Sequence, residues 1–155
     1  HTGTKVVVGD GPILPRLRER HPDAVFTGFR HGEELARHYA SADVFVFPSL
    51  TDTFGNVVLE ALPSGLLVVA YDCAAARVQL RAGANGLSAA PGDEAGFIAA
   101  AIEAATRLPR HAHQRAAARA TAESLSWDRI AQDFESHLLA VMREPAPGAA
   151  AVATA

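Results

Sequence analysis

Short apolar runs alternate along the chain with stretches in which apolar residues recur every three or four positions. Lys5-Val6-Val7-Val8-Gly9 predicts a strand buried on both faces, because its apolar run is continuous rather than alternating. Asp10-Gly11-Pro12 reads as a turn with Pro near a helix start. Ile13, Leu14 and Leu17 then supply the apolar side of a helix to about His21, which Pro22-Asp23 breaks. Val25-Phe26-Thr27 predicts a second strand ending at Gly28. From Glu33 onward, Leu35, Ala36 and Tyr39 fall on one helical face, and Val44-Phe45-Val46-Phe47 is a third strand closed by Pro48-Ser49. A helix follows from about Asn56 to Ser64, ended by Gly65 where left-handed backbone is needed. Leu66 to Ala70 is a strand, 74–82 a short helix and Gly86-Leu87-Ser88-Ala89 another strand. Pro91-Gly92-Asp93 opens a helix near Glu94, and Ala-rich helical patterns fill 94–107 and about 110–124. Ser126-Trp127-Asp128 predicts the cap of a last helix reaching Met142, with Trp127 packing it onto the domain. Strand and helix alternate throughout, so the expected fold is a Rossmann-like three-layer α/β/α domain with a parallel sheet over residues 1–144. The uncharged Pro/Ala-rich stretch 145–155 reads as a disordered tail.

At 155 residues the chain suits one domain rather than two. It opens on His1-Thr2 with no Met and no signal-peptide pattern, and so reads as part of a longer protein. Lys and Arg number 14 against 17 Asp and Glu, a net charge of −3, which leaves no basic excess for a nucleic-acid partner. No apolar run approaches the roughly 20 residues of a transmembrane helix. The single cysteine, Cys73, is simplest as a small buried apolar side chain in a reducing, cytoplasmic compartment. His111 and His113 read as part of a solvated Arg-containing face. No Cys/His spacing and no Asp-x-Asp pair suggests a metal site.

In an open parallel sheet the ligand crevice lies beyond the carboxyl ends of the strands. Three loops reach that edge: Gly9 to Pro12, Gly28 to Gly32, and Ser49 to Asn56. The first, Gly9-Asp10-Gly11, lacks the third glycine of a dinucleotide fingerprint and reads as a tight turn, which weighs against an NAD-binding fragment. The third is the longest and leads directly into the helix Val57-Val58-Leu59-Glu60-Ala61-Leu62. Free N–H groups at that helix start suit an anion such as a diphosphate, and Gly55 permits close backbone approach. Asp52 in the loop and Glu60 in the helix flank this point, and carboxylates accept hydrogen bonds from the vicinal hydroxyls of a ribose or a sugar.

The string Phe47-Pro48-Ser49…Thr53-Phe54-Gly55-Asn56-Val57-Val58-Leu59-Glu60-Ala61-Leu62…Ser64-Gly65…Val68-Val69-Ala70 resembles the C-terminal, donor-binding domain of retaining glycosyltransferases with the GT-B fold. These form the large group that includes sucrose synthases, glycogen synthases and bacterial mannosyl- and glucosyltransferases. Val8-Gly9-Asp10-Gly11-Pro12, Ala42-Asp43-Val44, Asn85-Gly86-Leu87 and Pro91-Gly92-Asp93 extend the resemblance over roughly residues 5–142. It implies that Glu60 receives the ribose hydroxyls of a nucleotide-sugar and that Asp52 is the catalytic-site acid contacting the transferred sugar. Phe54, Gly55, Asn56 and Val57 would line the sugar and phosphates, and Phe29 and Arg30 would lie near the base. No cofactor is implied, since the nucleoside diphosphate sugar is itself the donor substrate. The acceptor, a glycan, lipid or small molecule, would be held by an N-terminal domain, which would also carry any peripheral membrane contact.

This chain departs from the family pattern at four places. Asp52 stands for the usual Glu, Leu67 for a common Pro at a strand start, and Val78 for a frequent Glu. The family's first strand of this domain, with the Gly-Arg and Lys that grip the diphosphate, is absent. The expected function is therefore the donor-binding half of a hexosyltransferase, inactive as an isolated fragment. The alternative is a degenerate α/β module that serves interaction or regulation.

Overall fold

The computed structural model describes residues 3–51, 56–81, 83–124 and 127–143. The chain divides into two compact units, His1–Ala122 and Glu123–Ala155. The first alternates strand and helix: β1 (Lys5–Val8), α1 (Leu14–Arg20), β2 (Ala24–Gly28), α2 (Gly32–Ser41), β3 (Val44–Phe47), α3 (Asn56–Ala61), β4 (Leu67–Tyr71), α4 (Ala74–Gln79), β5 (Gly86–Ala89), α5 (Glu94–Thr106) and α6 (Ala112–Glu123). The second unit holds α7 (Trp127–Arg143), a 17-residue amphipathic helix with Ile130, Phe134, Leu138 and Val141 along one exposed stripe. The expected cap residue Ser126, the side chain of Trp127 and the tail 145–155 lie outside the described residues.

Every strand pairing is parallel. The strands form two ladders, β1–β2 and β3–β4–β5, with β4 in the middle of the second. Around β4 the three layers are plain. Val68 and Ala70 on one face pack with Tyr39 of α2, Val58 and Ala61 of α3, Ala76 and Leu80 around α4, and Ala118 of α6. Leu67, Val69 and Tyr71 on the other face pack with Ala89, Phe97 and Ala104. Tyr71 and Phe97 stack with centroids 4.6 Å apart. Alternating residues of one strand thus enter two cores, which is why its apolar run has no polar positions.

The same reasoning fails for β1. All four of its residues are exposed, although the run Val6-Val7-Val8 predicts burial on both faces. Its one ladder partner among the described residues is β2, and β2 is itself covered only in part. An apolar run signals what a strand needs as neighbours. It does not supply them.

Several local elements follow from single residues. Gly65 closes the 3-10 turn Leu62–Ser64 with φ +68°, the left-handed conformation expected there. Asp93 caps α5, its side chain accepting from the Gly96 N–H at 2.9 Å. Asn85 is buried and fully used: it accepts from the Arg81 N–H at 2.7 Å and donates to the Gln79 carbonyl and to Thr121 Oγ1. Beside it, a Cβ on Gly86 would come within 3.0 Å of both the Val68 carbonyl and Leu80. The Asn85-Gly86 pair is therefore a joint between α4, β5 and α6. Arg115 on α6 donates to the Gly65 carbonyl at 2.8 Å and lies 3.5 Å from Asp43.

His111 also corrects the sequence reading. It is buried rather than part of a solvated face, because the 3-10 turn Leu108–His111 rotates it inward, where Nδ1 hydrogen-bonds the Gln114 side chain. His113 remains exposed. Cys73 is half-buried, packed beside Leu67 and Val69, with Sγ 3.7 Å from the Ser49 carbonyl.

Candidate functional site

Three of the residues singled out by sequence lie on α3. Its order comes from packing rather than propensity, since Asn56, Val57 and Val58 are all poor helix formers. Val58 and Ala61 are buried against the β4 core, which leaves Asn56 and Glu60 on the exposed side. Val57 is half-buried and its side chain packs against the same core.

Glu60 stands opposite Tyr39. The Tyr39 hydroxyl donates to Glu60 Oε2 at 3.2 Å, linking the last turn of α2 to the end of α3. A cavity of about 310 Å³ opens beside this pair, lined by Gly32, Leu35, Ala36 and Tyr39 of α2 together with Glu60 and Ser64. Its wall is apolar on the α2 side and polar on the other, a mixture suited to a small organic ligand carrying hydroxyls.

Burial, and after it the neighbouring Glu60 carboxylate, pushes the Tyr39 phenol from its ordinary 10.0 up to about 12. The sign follows from linkage. Up to about pH 10 folded and unfolded chains both hold the proton. Between about 10 and 12 the unfolded chain gives it up while the folded chain keeps it, so stability falls as pH rises through that window. Urea unfolding across this range is expected to show a steeper alkaline loss for the wild type than for Tyr39→Phe. Equal slopes would mean that the phenol is not held in this way.

The other expected residues divide. Phe29 and Arg30 immediately precede the rim of the cavity at Gly32. Phe29 is 70% exposed and stacks on His31 with centroids 6.0 Å apart. Arg30 donates to the Phe29 carbonyl at 3.1 Å and lies 3.7 Å from Glu34 on the first turn of α2. Asp52, Phe54 and Gly55 lie outside the described residues. Val78 is 77% exposed. At the loop after β1, Asp10 Oδ1 accepts the Gly11 N–H at 2.8 Å, and the turn itself lies one step on, over Gly11–Leu14, where the Gly11 carbonyl accepts the Leu14 N–H.

Sequence reasoning missed Tyr39 and Ser64 as site residues, since Tyr39 falls on the apolar face of α2 and was assigned to packing alone. The available signal was its hydroxyl, which needs a partner wherever the ring is buried.

Residues 3–107 match the model of the family described as glycosyl transferases group 1. A GDP-mannose-dependent alpha-mannosyltransferase of Mycobacterium tuberculosis is 41% identical over 138 residues, covering 88% of this chain and 35% of that protein. One of the same name from Corynebacterium glutamicum is 36% identical over 132 residues, covering 85% of this chain and 32% of that protein. The chain thus spans about a third of the length of these relatives. Among solved structures, sucrose-phosphate synthase from Thermosynechococcus elongatus superposes with a TM-score of 0.75 at 22% identity, over 88% of this chain and 38% of that one. Anabaena HepE in complex with UDP gives 0.73 at 23%, over 88% and 41%. At these identities the structural likeness speaks to the fold. No helix among the described residues is long and apolar enough to cross a membrane.

Proposed function

The chain belongs to the group 1 glycosyl transferases, and from that membership we propose that it forms the donor-binding half of a retaining hexosyltransferase. A nucleoside diphosphate sugar is held at α3, with the ribose hydroxyls on Glu60 and the base toward Phe29 and Arg30. In this reading Asp52 is the acid that contacts the transferred sugar, and Phe54, Gly55, Asn56 and Val57 serve the sugar and the diphosphate. The retaining outcome comes with the family resemblance. An acceptor hydroxyl is supplied by another domain.

The observation that carries this reading is the exposed Glu60 carboxylate beside a cavity of about 310 Å³. That volume is at the lower end for small-molecule pockets, which suits part of a sugar nucleotide, the remainder extending along the strand-end edge. GDP-mannose is the first donor to test, because the two curated relatives are named for it. UDP is the second, because a structural neighbour is described in complex with it.

The isolated chain is expected to bind nucleoside diphosphates weakly and to transfer no sugar, since one half-site neither closes over the donor nor positions an acceptor. An NMR titration with GDP and UDP checks the binding, with shifts expected at Gly32, Tyr39, Asn56, Val57 and Glu60. Shifts confined to the β5–α5 side would overturn the site. Absence of binding would favour a non-catalytic module.

A further inference from the structure

A glutamate on an exposed helix face has three rotatable side-chain bonds and no reason to hold one orientation. Glu60 is different because of what it meets. Tyr39 is only 9% exposed and belongs to the core that includes Val58, Leu62 and Val68. Its ring meets Phe45 edge-on, with centroids 5.6 Å apart at 67°, and Phe45 in turn stacks on Phe47 at 5.9 Å. The phenol is therefore fixed by aromatic packing that reaches into β3. Its hydroxyl is a rigid donor placed 3.2 Å from Glu60 Oε2. With Oε2 tethered, the remaining acceptor capacity of the carboxylate is held beside the cavity that both residues line.

The geometry points to Tyr39 as the positioning residue of the ribose site: its hydroxyl, held by the ring's edge-on packing against Phe45, pins one oxygen of Glu60 so that the carboxylate is presented ready-oriented to the vicinal diol of a nucleotide. This rests on the reading of Glu60 as the ribose contact and adds a second residue, 21 positions away in sequence, to it. The physical effect is preorganisation. Ordering a flexible acidic side chain at the moment of binding costs affinity, and here the protein has already ordered it. The remaining walls fit the same occupant, since Leu35, Ala36 and the Tyr39 ring offer an apolar surface to a sugar ring while Ser64 and Glu60 meet its hydroxyls.

The test uses Tyr39→Phe, which keeps the ring and its packing and removes only the hydroxyl. Binding of GDP and UDP, each against its 2′-deoxy form, is measured by NMR titration alongside the melting temperature. The wild type is expected to prefer the ribonucleotide by about tenfold, the scale of one hydrogen bond to a charged acceptor. Tyr39→Phe is expected to bind the ribonucleotide about two- to tenfold more weakly, with the 2′-deoxy form unchanged. Ribonucleotide affinity equal to wild type overturns the proposal, and so does an equal loss for both forms, which would mark a merely structural tyrosine. Glu60→Ala, which removes the side-chain contact altogether, separates this from the underlying reading. If that variant keeps the preference for the ribonucleotide, the ribose contact itself is wrong and the proposal falls with it. If it loses the preference while Tyr39→Phe does not, the contact stands and the positioning role fails. In the wild type, saturating GDP is expected to shift the Tyr39 ring signals, and unmoved signals count against the proposal whether or not the variant folds.

Discussion

Replacing Glu60 with Ala is expected to weaken GDP or UDP binding to this chain by about 10- to 100-fold, the scale of a hydrogen-bonded charged group lost from a site. In a transferase containing this chain, the same change is expected to abolish sugar transfer. Truncation to Ala also strips the Tyr39 hydroxyl of its acceptor, so a loss of about 1 kcal/mol in stability accompanies it. Comparison with Glu60→Gln separates the two effects, since Gln retains an oxygen for Tyr39 but not the charge. Isothermal titration of the folded variants decides the matter. Wild-type affinity in Glu60→Ala would remove this carboxylate from the binding site.

The largest expected change in stability lies on the opposite face of the sheet. Leu67→Ala empties a position that is 0% exposed and packed with Val69, Tyr71, Ala89, Phe97 and Ala104. A cost of about 2–5 kcal/mol is expected, against a total stability of about 5–15 kcal/mol for an ordinary domain. The melting temperature should fall by about 5–20 °C. A loss below about 1 kcal/mol would mean that the surrounding side chains close the space. Leu67→Pro would additionally remove the N–H that donates to the Asp43 carbonyl at 3.0 Å. Leu67 is thus both a core side chain and a ladder donor.

What could be read from the chain beforehand was whatever depends on local pattern. The fully apolar run at Leu66–Ala70 predicted the most buried strand within one residue of its bounds, because both cores that require it lie in this chain. The equally apolar run at Lys5–Val8 predicted the same burial wrongly, because burial depends on neighbours that a run cannot show. His111 was misread since a four-residue 3-10 turn, not the adjoining helical period, sets its direction. At the site, Glu60 was legible as the acid of a recognisable string. Tyr39 was legible only as an apolar position, for nothing in local spacing tells which side chain its hydroxyl will meet 21 residues later. Asp52, Phe54 and Gly55 fall outside the described residues; Asp52 and Gly55 were legible from the long strand-end loop, Phe54 from the resemblance.

The separation of the sheet into two ladders has a consequence for anyone handling this polypeptide. Among the described residues β1, β2, β3 and β5 each have one hydrogen-bonded neighbour, so each presents a rim of backbone donors and acceptors that no strand has claimed. Such a rim, flanked by uncovered valines, is an adhesive surface for any extended peptide, including those of sister molecules. Concentrated stocks should therefore be judged by their tendency to clump.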